Sequence, residues 1–189
     1  MNRPVTAVLL VIAMLGGPPG SRADLSQVRR YELPNKDAIE LAVPAGWDET
    51  VDRPAGGLPT ILLRPHEGAA FEVQVIPEWP DAPAESGADP EALREMVRSA
   101  AERIREQATE ETIEIRRLQG ADGVGFYFLA TDRAPQPDGF KYMHQGALQV
   151  GDLTVTFTIL TNDGQQAVVE EALAMLKAAV HRGTGLDQR

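Results

Sequence analysis

The segment "KYMHQGALQVGDLTVTFTILT", Lys141 to Thr161, constrains the fold more tightly than any other part of the chain. Two alternating runs are separated only by Gly151 and Asp152, and a two-residue loop joins antiparallel strands in a fixed register. This register sets Val150 opposite Leu153, Leu148 opposite Val155, Gly146 opposite Phe157 and His144 opposite Ile159. Paired residues share a face. Leu153, Val155, Phe157 and Ile159 therefore define the core side, and Thr154, Thr156 and Thr158 the other. Gly146, without a side chain, makes room for Phe157, and His144 falls on the apolar side.

The remaining segments read as further elements of an α+β fold. "YELP" and "IELAVP" are short strands across "NKDA", and the corner "PAGW" ends the second. "DETVDRPAGG" reads as an acidic, breaker-rich loop, followed by strands "LPTILLRP" and "AFEVQVIP" around "HEG". The stretch from Glu78 to Pro90 runs over the surface into a helix capped by Asp89 with Pro90 in its first turn. Leu93, Met96, Val97, Ala100, Ile104 and Ala108 form the apolar stripe of that helix, and Arg98 and Glu102 pair on its other side. "ETIEIRRL" and "VGFYFLAT" form a hairpin across "QGADG", whose register the residues leave open. Asn162 or Asp163 caps a last helix with Val169, Ala172, Leu173, Leu176 and Val180 on its apolar side. His181 and Arg182 close it as C-terminal cations before Gly183. These elements predict one α+β domain over residues 24–183 and a flexible tail over 184–189.

The N-terminus has a different character. Arg3, an apolar run from Val5 to Leu15 and a breaker-rich, small-residue segment read as a secretory signal over residues 1–23, cleaved between Ala23 and Asp24. The run is too short to cross a bilayer as a helix, which needs about 20 residues. A periplasmic or secreted product without a membrane span is the expectation. The absence of cysteine rules out disulfides, thiolate metal sites and thiol nucleophiles. A chain of this size has no need of such staples. Lys and Arg number 18 against 28 Asp and Glu, a net charge of −10, which disfavours nucleic acid and anionic membranes as partners.

Signatures of chemistry are sparse. Ser26, Ser86 and Ser99 lie outside any nucleophile elbow, and His66, His144 and His181 lack the local spacing of zinc ligands. "GADGVG" joins two strands and opens no helix, so its glycines are turn residues and not a phosphate cradle. Glu78, Asp81, Glu85 and Asp89 lack the spacing of a calcium loop. No cofactor is expected.

"LAVPAGW", "GVGFYF" and "GALQVGDLTVTFTIL" followed by "EALAMLKAA" resemble the PsbP-like superfamily, including its small exported bacterial members of unassigned function, over roughly Tyr31 to Val180. The resemblance implies a single antiparallel β-sheet flanked by helices, an α/β/α-type sandwich. It also implies kinship with binding and assembly modules, such as the extrinsic subunit of photosystem II and a Ran-binding protein. It carries over no catalytic motif and no functional residue.

Four residues remain as candidate contacts for a partner or ligand. Trp47 reads as a plug over the open end of the core ahead of an exposed handle, whereas Trp79 is equally suited to touching a partner or pinning its loop. His144 reads as a hydrogen-bonded core histidine ahead of a ligand or general base, with Tyr142 beside it. The leading expectation is a non-enzymatic exported module that binds a periplasmic or envelope protein, or a small ligand, through its long loops. Its first rival is an enzyme whose acid–base site gathers distant residues around His144, with Tyr142 and a loop carboxylate. The second is a cation-responsive domain that uses the acidic loops.

Overall fold

In the computed structural model, which describes residues 26–54, 58–79 and 89–183, the Gly151–Asp152 loop does what its length demands. Strand β8 (Tyr142–Val150) pairs with β9 (Leu153–Thr161) in the expected register, from Val150 opposite Leu153 to Tyr142 opposite Thr161. Gly151 supplies the positive φ, 57°, that so short a loop requires.

Around this hairpin stand β1 (Gln27–Glu32), β2 (Ala38–Val43), β3 (Trp47–Asp52), β4 (Thr60–Pro65) and β5 (Glu72–Glu78), followed by helix α1 (Pro90–Ile104). Strands β6 (Arg116–Gln119) and β7 (Val124–Thr131) precede the hairpin; α2 (Gln166–Lys177) and β10 (Val180–Arg182) follow it. The antiparallel architecture flanked by helices is as expected, but its strands divide between two sheets. Seven run in the order β3-β4-β5-β9-β8-β7-β6, and three more in the order β1-β2-β10.

Alternation along the strands decides which layer each residue joins. Phe126, Phe128 and Ala130 of β7 and Ala147 of β8 meet Leu93, Val97 and Ala101 of α1 on one face. Leu148, Val155, Phe157 and Ile159 point the other way, into a larger core with Ile39, Leu41 and Val43 of β2 and Met175 and Leu176 of α2. Fully burying each such aliphatic side chain contributes roughly 1.5–3 kcal/mol. The small sheet and α2 together thus complete the layer opposite α1.

Several boundaries differ from the expected ones. "WDETVD" is strand β3, not loop: its backbone pairs with β4 from Trp47 opposite Pro65 to Asp52 opposite Thr60. It forms a sheet edge, so few of its side chains are apolar, and its acids discourage further strand addition. Glu49 accepts from the Tyr31 hydroxyl and pairs with Arg29 at 3.1 Å, fastening the small sheet to this edge. The β6–β7 hairpin closes through "GADG", with the Gly120 N–H donating to the Gly123 carbonyl at 2.9 Å.

Asp89 caps α1 as expected, accepting from the Glu91 N–H at 3.0 Å. Ala108 is buried but lies beyond the helix, in a bridge to Asp132. Arg98 pairs with Glu95 and Glu102 with Arg105, because spacings of three and four residues compete on a helix surface. Neither Asn162 nor Asp163 caps α2. Asn162 Oδ1 accepts the Lys141 N–H at 3.0 Å, and Asp163 accepts from Lys141 Nζ, so both are committed to the residue that leads into β8. Gln165 takes the helix-starting position. Its amide donates to the Ala69 and Ala70 carbonyls at 3.1 Å each, tying α2 to the β4–β5 connection.

The largest correction concerns His181. The last helix ends at Lys177, and Val180–Arg182 becomes β10, antiparallel to β2 with His181 opposite Ile39. Pairing with β2 satisfies backbone groups that a longer helix would have satisfied internally. His181 is therefore no helix-end cation: its side chain is only 5% exposed and packs edge-on to Trp79, with ring centroids 5.5 Å apart.

Candidate functional site

Helix α2 packs over β2 and β9, and among the described residues no other helix lies on the β6–β8 end of that sheet face. A cleft of about 410 Å³ opens there. Tyr127 and Leu129 of β7 contribute its floor and Val169 and Leu173 of α2 its apolar wall. At the sheet edge stands Arg116 of β6, and at the helix side Glu170.

His144 sits on this floor because the hairpin register points it to the same face as Leu148 and Ile159, and pairing with β7 sets it opposite Leu129. Its ring lies 6.5 Å from that of Tyr127. The expected hydrogen-bonded core histidine is not found. His144 is only partly buried, yet its Nδ1 is shut off from solvent with no hydrogen-bond partner among the described residues. Burial, reinforced by the nearby positive charge of Arg116, pushes its pKa down to about 4. An imidazole in this state is neutral at physiological pH and can donate or accept, but carries no charge.

Tyr142 lines the same cleft at its rim, where its hydroxyl donates to Asp163 Oδ1 at 2.7 Å. The Lys141 ammonium also donates to Asp163 and stands 5.0 Å from the centre of the Tyr142 ring. These donors, Lys141 first, hold the Asp163 carboxyl below its usual range.

Of the four candidate contacts, the fold brings together only Tyr142 and His144. Trp47 is far along the sheet, 5% exposed and packed on Phe71 with ring centroids 4.7 Å apart. Trp79 is half-buried against the larger core, its Nε1 enclosed and unpartnered among the described residues. Arg116 and Tyr127 escaped sequence reasoning because the open β6–β7 register hid which face they share, and Val169 and Leu173 were legible only as part of the apolar side of the last helix. The proposed cleavage point at Ala23 and Asp24, Asp81 and Glu85 of the acidic loop, and the tail over 184–189 lie outside the described residues. Among the described residues no group of three or more His, Asp or Glu side chains could hold a metal ion. No helix among them is long and apolar enough to cross a membrane.

No protein-family model and no curated protein matches the sequence. Among solved structures, the solution structure of cyanobacterial PsbP (CyanoP) from Synechocystis sp. PCC 6803 superposes with a TM-score of 0.50 at 13% identity, over 87% of this chain and 97% of that one. The chain has a PsbP-like fold. A protein of Bacteroides thetaiotaomicron VPI-5482 is similar over 82% of this chain but only 49% of its own length, with 13% identity and a TM-score of 0.47.

On this PsbP-like fold His144 gives the cleft a pH signature. Its folded-state pKa of about 4 lies below the ordinary value of 6.5, so protonation favours the unfolded chain. The stabilisation is complete above pH 6.5 and is lost as pH falls through the interval down to about 4. Chemical denaturation of wild type and His144→Gln across that interval should show a steeper acid loss for wild type. Parallel pH profiles would contradict the depressed pKa.

Proposed function

We propose that the protein is a non-enzymatic binding module that works outside the cytoplasm, after removal of residues 1–23, and holds a small ligand in the cleft between α2 and strands β6 to β8. The observation that carries this reading is the cleft of about 410 Å³ itself, in which Arg116 and the partly buried His144 meet the apolar and aromatic side chains of Tyr127, Leu129, Val169 and Leu173. The cleft's size is that of ordinary small-molecule sites, about 300–1,000 Å³. The PsbP-like fold agrees with the reading, as a scaffold without a catalytic motif in this sequence. Residues 24–183 would act as one unit.

An NMR fragment screen tests it. Hits should move the amide signals of Tyr127, Leu129, His144 and Leu173 together; hits that consistently map elsewhere would remove the cleft from consideration. Export is tested by the mass of the protein recovered from a periplasmic fraction, which should begin at Asp24.

A second reading, acid–base catalysis by His144 with Tyr142, draws support from their meeting in one cleft and from the perturbed imidazole. Against it, the Tyr142 hydroxyl is engaged by Asp163, and no carboxylate among the described residues is hydrogen-bonded to His144 Nδ1. Specific turnover by purified protein that disappears in His144→Gln would favour this reading over the first.

A further inference from the structure

The cleft is electrically lopsided, and the direction of its asymmetry identifies a class of ligand. Acidic residues outnumber basic ones by 28 to 18, and most arginines in the described structure meet a carboxylate or a carbonyl. Arg116 has neither ion-pair nor hydrogen-bond partner among the described residues, although it is an exposed side chain at the mouth of a cleft in an acidic protein. It projects from β6 on the face that carries Tyr127 and His144, since Arg116 is paired opposite Tyr127 and Tyr127 opposite Gly146, two residues from His144. The nearby imidazole is neutral, so it does not repel a second cation. Opposite, on α2, Glu170 disfavours negative charge at the helix side of the cleft. Between the two ends lie Tyr127, Leu129, Val169 and Leu173, which offer apolar and aromatic surface.

We infer that the cleft takes a small organic anion, with its anionic head held by Arg116 near His144 and its apolar or aromatic body laid against Tyr127, Leu129, Val169 and Leu173. The guanidinium suits a planar or tetrahedral oxyanion because its N–H donors form a fork. The inference rests on the cleft being a binding site and adds to it the sign and shape of what is bound.

The test uses anilinonaphthalene sulfonate, an aromatic anion, beside phenylnaphthylamine, the same body without the charge, and inorganic sulfate, the head without the body. Titration into the mature protein, followed by fluorescence and by the amide signals of Tyr127, Leu129 and His144, should give one saturable site for the sulfonate dye. Phenylnaphthylamine should bind it at least about tenfold more weakly, and sulfate should not displace the dye at comparable concentration. Arg116→Gln should abolish the preference for the anion without lowering Tm, while Val169→Trp, or Leu129→Trp if the first variant does not fold, should block both dyes. Equal affinities, or a preference that survives in Arg116→Gln, would overturn the anion assignment and leave the cleft as a binding site. Dyes that bind without moving the cleft signals, or do not bind, would overturn both.

Discussion

Gly146→Ala should destabilise the protein by about 3 kcal/mol, lowering Tm by roughly 6–12 °C for a chain of this size. The position is in β8, with β7 on one side and β9 on the other. A Cβ built there would lie 2.3 Å from the Phe126 carbonyl oxygen, 2.5 Å from Tyr127 Cβ and 2.8 Å from Phe157 Cζ. The Phe157 ring could swing slightly. The Phe126 carbonyl cannot, because it belongs to the backbone of the neighbouring strand, and moving it disturbs the β7–β8 ladder that forms the cleft floor. Gly183→Ala is the control: its Cβ would meet nothing closer than 3.7 Å, and its stability should stay within about 0.5 kcal/mol of wild type. Urea unfolding of both variants decides the matter, and a Gly146→Ala protein as stable as the control would refute the steric argument.

Trp47→Ala should be at least as damaging, at about 3–5 kcal/mol. The ring is 5% exposed against Phe71, and it leaves a corner in which Gly46 adopts a φ of 83°. Truncation would empty the space over the end of the core. The backbone is held independently, since Arg29 donates to the Trp47 carbonyl at 3.2 Å and the His66 N–H to the Gly46 carbonyl at 2.8 Å, so the chain cannot readily collapse into the void. Trp47→Phe should recover much of the loss. If Trp47→Ala cost less than about 1 kcal/mol, the tryptophan would be better regarded as a surface contact than as part of the core.

Legibility in the sequence followed the range of the interactions. The β8–β9 register was readable because a two-residue loop leaves no slack, and that register alone placed His144 and Gly146 on the face where they are found. Asp89 and Pro90 were readable as the start of α1 because capping acts within one turn. By contrast, β3 was hidden because an edge strand buries little and therefore lacks a strong alternating pattern. The end of α2 was misjudged because the segment after Lys177 owes its conformation to β2, more than a hundred residues earlier in the chain. Asn162 and Asp163 looked like caps since nothing local reveals that Lys141 and Tyr142 would claim their side chains.

Local chemistry and periodicity thus determined, without coordinates, the α+β class, one hairpin register and one helix cap, as well as the scarcity of nucleophile and metal signatures. Only the tertiary structure decided that α2 leaves one end of the sheet uncovered and that Arg116, Tyr127, His144 and Leu173 face a common space there. The reason is physical: loop length and capping act over a few residues, whereas a cleft is whatever volume the packing of distant elements leaves unfilled.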